Sequence, residues 1–173
     1  MDEVPNIYMD HFSLEFAGHR AEPVARNAGA RELGATLYEL GPGSDDVPLH
    51  IHHSLEELLV VISGTPTLRT LEGERELRAG DIVSFRTGRR GAHALVNRSS
   101  EPVRYLMVST KALPEVVEYP EQGTVRVLTR APFDPPKADE DPEDRLMLLF
   151  DRSAAKEDRR LWQARDQPGE ERP

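Results

Sequence analysis

Three imidazoles and one carboxylate lie close together in the chain at His50, His52, Glu57 and His93. In an extended strand, residues two apart project to the same face. His50-Ile51-His52 therefore presents two nitrogen donors side by side and sends Ile51 to the opposite surface. Glu57 stands an odd number of residues beyond His52, so it rejoins that face only if the chain bends or bulges between His53 and Glu56. His53 and Glu56, as immediate neighbours of His52 and Glu57, are expected to face away. This donor set suits one borderline divalent ion, Fe, Mn, Ni, Co, Cu or Zn, whereas calcium wants more oxygens. Four protein ligands on such an ion leave positions for water, dioxygen or a chelating substrate. The imidazoles must be neutral to bind, so metal is expected to leave below about pH 6.

Short strands are expected to position these residues: Ala35 to Leu40, Leu49 to Ile51, Leu58 to Ile62, Pro66 to Leu71, Glu74 to Leu77, Ile82 to Phe85, Ala92 to Val96 and Val103 to Ser109. Leu58 to Ile62 is continuously apolar and reads as a strand buried on both faces. Glu72-Gly73-Glu74 signals a hairpin, and Gly88-Arg89-Arg90-Gly91 a loop before the strand of His93. This density of strands favours a barrel or sandwich, and closing it into a small barrel creates an interior cavity. Alternation from His93 points Leu95 and Asn97 inward, and in the last strand Tyr105 and Met107 are the inward choice. Tyr38 and Phe85 are further candidates for lining the pocket. Arg86, Arg89 and Arg90 sit in the loop beside the His93 strand and are expected to form a solvated basic face, the alternative being guanidinium groups that hold a substrate carboxylate or phosphate.

The same residues resemble the cupin superfamily. Its first motif, HxH, four residues, Glu, six residues, Gly, is matched without a gap by His50, His52, Glu57 and Gly64. Its second motif is followed by Gly80, Arg86, Gly88, His93 and Asn97, with two departures. Arg86 replaces the usual proline, and four residues instead of two separate Gly88 from His93, making that loop longer and more basic. The similarity runs from about residue 29 to 127 and is strongest to small bacterial single-domain cupins of unassigned function. It implies an all-β fold, a double-stranded β-helix or jelly-roll barrel over residues 33–127, with His50, His52, Glu57 and His93 as metal ligands. It also implies a small-molecule ligand and pairing of barrels as a homodimer. The functions it suggests are a metal-dependent enzyme on a small polar substrate, of dioxygenase or sugar isomerase or epimerase type, or alternatively a non-catalytic carbohydrate or organic-acid binding module.

Composition bounds the rest. A chain of 173 residues, 38% hydrophobic and 31% charged, fits one domain with tails. The absence of cysteine removes thiolate ligands, Fe–S clusters and disulfides. A formal charge of −9 with scattered cations argues against nucleic-acid binding. No stretch has the length of a membrane span, and the first residues lack a secretion signal, so a cytoplasmic location and no membrane contact are expected. Residues 1–32 read as an N-terminal arm in which Phe12, Leu14 and Phe16 alternate as one strand. Residues 128–173 read as a Pro-rich acidic linker and a docking tail. In that tail, Leu146 to Phe150 is too apolar to be left in water, and Ser153 to Arg165, with Leu161 and Trp162, forms a short helix.

Overall fold

Apolar alternation and turn residues organise the chain into short strands. The computed structural model describes residues 4–16, 18–45, 47–131 and 141–154. In chain order the strands are β1 (Leu14–Phe16), β2 (His19–Glu22), β3 (Leu33–Leu40), β4 (Ile51–His52), β5 (Glu57–Ser63), β6 (Thr67–Thr70) and β7 (Gly73–Glu76). They continue as β8 (Ile82–Phe85), β9 (Ala94–Val96), β10 (Val103–Thr110), β11 (Glu115–Tyr119), β12 (Thr124–Leu128) and β13 (Met147–Asp151). One helical turn, α1 (Val24–Asn27), joins β2 to β3. No helix among the described residues is long and apolar enough to cross a membrane.

Among these residues the strands form a six-stranded sheet, β1-β2-β3-β10-β5-β8, a four-stranded sheet, β13-β12-β11-β4, and a three-stranded sheet, β7-β6-β9. A single antiparallel bridge, His50 to His93, links the two smaller sheets, with reciprocal backbone bonds of 3.1 and 3.0 Å. Two of the metal-ligand candidates thus lie on the seam of one layer. The main core joins the six-stranded and three-stranded sheets through Leu40, Leu59, Val61, Leu68, Leu95, Val103 and Tyr105, all at most 2% exposed. This all-β architecture is the jelly-roll barrel expected from the sequence.

Several local expectations are corrected. Leu58 to Ile62 is not buried on both faces: Leu59 and Val61 enter the core, while Leu58 is 39% exposed. The two-layer fold gives this strand one inner face only, and its apolar run misled because β-branched residues are favoured on either face. The β6–β7 turn is Leu71-Glu72, since Gly73 already pairs with Thr70. Asn97 does not line a pocket; its side chain donates to the carbonyls of Leu40, Gly41 and Glu101 at 3.1, 3.1 and 2.8 Å and clips the chain leaving β9. The N-terminal segment joins the large sheet through β2 and β3. There the Glu39 carboxylate accepts from both Arg20 and Arg104, and both guanidinium groups lie over the Phe12 ring. Strands β11, β12 and β13 were not anticipated as strands. Of the expected linker, residues 132–140, and of the expected helix, residues 155–165 with Leu161 and Trp162, lie outside the described residues.

Candidate metal centre

Each donor is delivered by a different local device. His52 sits on β4, which pairs with β11 in the register Val117 to His52. His50 precedes it by one alternation. The chain then turns through residues 53–56, so that Glu57 opens β5 opposite Phe85 of β8. His93 follows a 3-10 turn, Arg89–Gly91, that fills the lengthened loop. Gly91 is obligatory there: a Cβ at this position would meet the Arg86 carbonyl oxygen at 1.7 Å.

The structure brings His50, His52, Glu57 and His93 together, with one ligand atom of each within 4.8 Å of all the others. The hydrogen bonds behind the rings decide what faces inward. His50 Nδ1 lies 3.0 Å from the Pro48 carbonyl, and His93 Nδ1 lies 2.9 Å from the Gly91 carbonyl. A carbonyl only accepts, so both Nδ1 atoms carry hydrogen and each Nε2 is left as a lone pair. His52 Nδ1 donates in the same way to Glu115 Oε1 at 3.1 Å. Glu57 Oε2 stands 3.2 Å from both His52 Nε2 and His93 Nε2. With the tautomers so fixed, no N–H points at this oxygen, and it is buried without a hydrogen-bond partner among the described residues.

A converging set of lone pairs around an orphaned carboxylate oxygen is unfavourable unless a cation sits among them. On bonds of about 2.1 Å, neighbouring donors of a divalent transition ion stand about 3.0 Å apart, close to the 3.2 Å found here. The residues therefore fit such an ion. Without a metal, a proton takes its place. Burial alone would lower the pKa of His52, but the hydrogen bonds and charges of Glu115 and Glu57 override it and raise it to about 9. Burial, and then the neighbouring His93 and His52, push His50 down to about 3, which keeps it neutral. Burial alone would raise Glu57; once His52 carries that proton, its N–H and charge beside the carboxylate override burial and hold the carboxyl well below the usual range.

The remaining candidates are distributed as follows. Phe85 reaches the quartet, its ring stacked on His93 at 3.8 Å and 10°. Leu95, Tyr105 and Met107 lie in the main core, and Tyr38 packs against that core with its ring stacked on Tyr105 at 5.2 Å. Arg86 is exposed. Glu56 is also exposed, and His53 turns away to stand 3.3 Å from Glu118. A groove of about 400 Å³ opens between the β6–β7 hairpin and β8, with Phe85 in its wall and Arg75 and Arg90 among its lining. Sequence reasoning missed Glu115, the buried carboxylate behind His52, because nothing in the local pattern marks a glutamate that pairs 63 residues away. The alternation of Glu115, Val117 and Tyr119 was the available signal.

The cupin family model, described as the cupin domain, matches residues 36–109, a span that holds all four donors. The chain carries a cupin domain. No curated protein matches it in sequence. Among solved structures, it is similar to a protein from Acidithiobacillus ferrooxidans provisionally described as a sugar phosphate isomerase, at 24% identity and a TM-score of 0.69, covering 81% of this chain and 80% of that one. It is also similar to a cupin-superfamily sugar phosphate isomerase from Silicibacter pomeroyi, at 26% identity and a TM-score of 0.62, covering 71% and 83%. A polyketide cyclase from Streptomyces resistomycificus shares the fold at 20% identity and a TM-score of 0.54, covering 66% and 83%.

Proposed function

We propose that this cupin is a cytoplasmic, metal-dependent enzyme that interconverts isomers of a small sugar phosphate, with His50, His52, Glu57 and His93 holding one divalent transition ion. The observation that carries the metal reading is the outward anchoring of three Nδ1–H groups, which leaves three Nε2 lone pairs within one cluster, two of them 3.2 Å from the unpartnered Glu57 oxygen. A bound ion would supply a Lewis acid that polarises a substrate carbonyl or hydroxyl oxygen. The chain's own residues keep His50 neutral, orient His52 through Glu115, and shield His93 with Phe85. The likeness to the Silicibacter pomeroyi isomerase supports the choice of reaction over the dioxygenase type. The groove beside Phe85 is lined by Arg75 and Arg90 together with Glu72 and Glu74, a polar mixture that suits a hydroxylated substrate.

The test is proton NMR in D2O of metal-loaded protein with a panel of pentose and hexose phosphates. Interconversion of aldose and ketose, or deuterium uptake at the carbon beside the carbonyl, is expected for at least one of them. Oxygen consumption without isomerisation would favour the dioxygenase. A raised melting temperature with no turnover would favour the binding module.

A further inference from the structure

Strand β13 is the outer edge of its sheet, and its five apolar or flanking apolar residues are left in solvent. Leu146, Met147, Leu148, Leu149 and Phe150 are 41% to 71% exposed, with no charge, proline or bulge between Arg145 and Asp151 to protect the edge. We propose that this edge docks a second copy of the chain, the two β13 strands running antiparallel with Leu148 facing the partner's Leu148 on the two-fold axis.

Hydrogen-bond parity and charge fix that register. Leu146 O accepts from Thr129 N, and Arg152 N donates to Gly123 O, so even-numbered residues of β13 spend their backbone groups on β12. The odd-numbered Met147, Leu149 and Asp151 of β13 therefore turn theirs outward, whereas Arg145 N, just before the strand, donates to Pro142 O. Directly opposed residues in an antiparallel pair are of one hydrogen-bonding kind, so odd must meet odd. Centring on Leu148 sets Met147 against the partner's Leu149 and Leu146 against the partner's Phe150, leaving every apolar position facing another. The same register sets Arg145, which leads into the strand, against the partner's Asp151 at both ends of the ladder. Centring on Met147 would oppose Arg145 to the partner's Leu149, and centring on Leu149 would oppose Met147 to the partner's Asp151. Neither keeps charges paired and apolar residues together. The homodimer expected from sequence thereby gains a specific edge, and the pairing is independent of what the quartet binds.

Sedimentation of the full chain across a concentration series tests this, with circular dichroism melts to verify that each variant is folded. The wild type is expected to dimerise. Arg145→Glu and Asp151→Arg should each raise the dimer Kd about tenfold or more, and the double variant should restore it. Because the chain has no cysteine, Leu148→Cys should give a disulfide-linked dimer on oxidation, since non-hydrogen-bonded partners stand about 4.5 Å apart at Cα. Met147→Cys should not, its counterpart being displaced by two residues along the ladder. A monomer at all concentrations, or a dimer indifferent to both charge variants and not linked through Leu148→Cys, would overturn the proposal.

Discussion

Replacing Glu115 by glutamine should weaken metal binding in a way that depends on pH, because Glu115 acts on the metal and on its competitor, the proton, through the same His52 ring. In the metal-free protein His52 has a pKa of about 9, above its ordinary value, so it is protonated at pH 7 and the proton must leave for the metal to enter. Two pH units of competition lower the apparent affinity about 100-fold at pH 7 relative to the plateau above pH 9, with a slope of about one decade per unit between. Losing a carboxylate behind a ligating imidazole costs about 10- to 100-fold in intrinsic affinity, or about 1.4 to 2.7 kcal/mol. Glu115→Gln also lowers the His52 pKa, so fewer protons compete at neutral pH and part of the loss is returned there. The deficit should therefore be largest above pH 9 and smaller at pH 7. Competition titrations of zinc against a chromophoric chelator, run from pH 6.5 to 10, read this directly. A wild-type affinity flat between pH 7 and 9, or a variant whose curve parallels the wild type, would refute the linkage of His52 to Glu115.

Gly91→Ala should displace the loop carrying the His93 acceptor, because its Cβ would overlap the Arg86 carbonyl; a metal affinity at least about tenfold lower in the same titration is expected. Asn97→Ala removes the side-chain NH2 shared by three carbonyls, one of them the buried Leu40 carbonyl, and should cost about 2 to 3 kcal/mol in urea unfolding. For Glu39, burial alone would raise the carboxyl pKa, but the hydrogen bonds of Arg20 and Arg104 override it and lower it. Its stabilisation is thus present above the ordinary carboxylate pKa and lost as pH falls through the lower folded value. Glu39→Gln should melt below the wild type at pH 7, with the gap closing in acid; a gap independent of pH would contradict this.

How much of the centre could be read from the sequence follows from the range of each interaction. The parity of His50 and His52, and the need for a bend before Glu57, are local properties of an extended chain, and the structure has both features. His93 was reachable only through the spacing pattern shared with cupins, because its approach to His50 crosses 43 residues through one bridge. Glu115 was marked only by its alternation with Val117 and Tyr119, since its partner and its burial arise only when β11 pairs with β4. The run Leu58 to Ile62 misled because apolarity alone does not reveal which face meets the second layer. Strand β13 was recognised as too apolar for water but not as an edge strand, a property that depends on β12 beside it.

Metal content is the most direct measurement of all. Purified chain titrated with Fe(II), Mn(II), Ni(II), Co(II), Cu(II) or Zn(II), freed of excess ion and measured by elemental analysis, should retain one ion per chain of at least one of these metals, and His50→Ala/His93→Ala should retain none. Equal retention by the wild type and the double variant, or no retention by a folded wild type with any of the six, would contradict the metal centre.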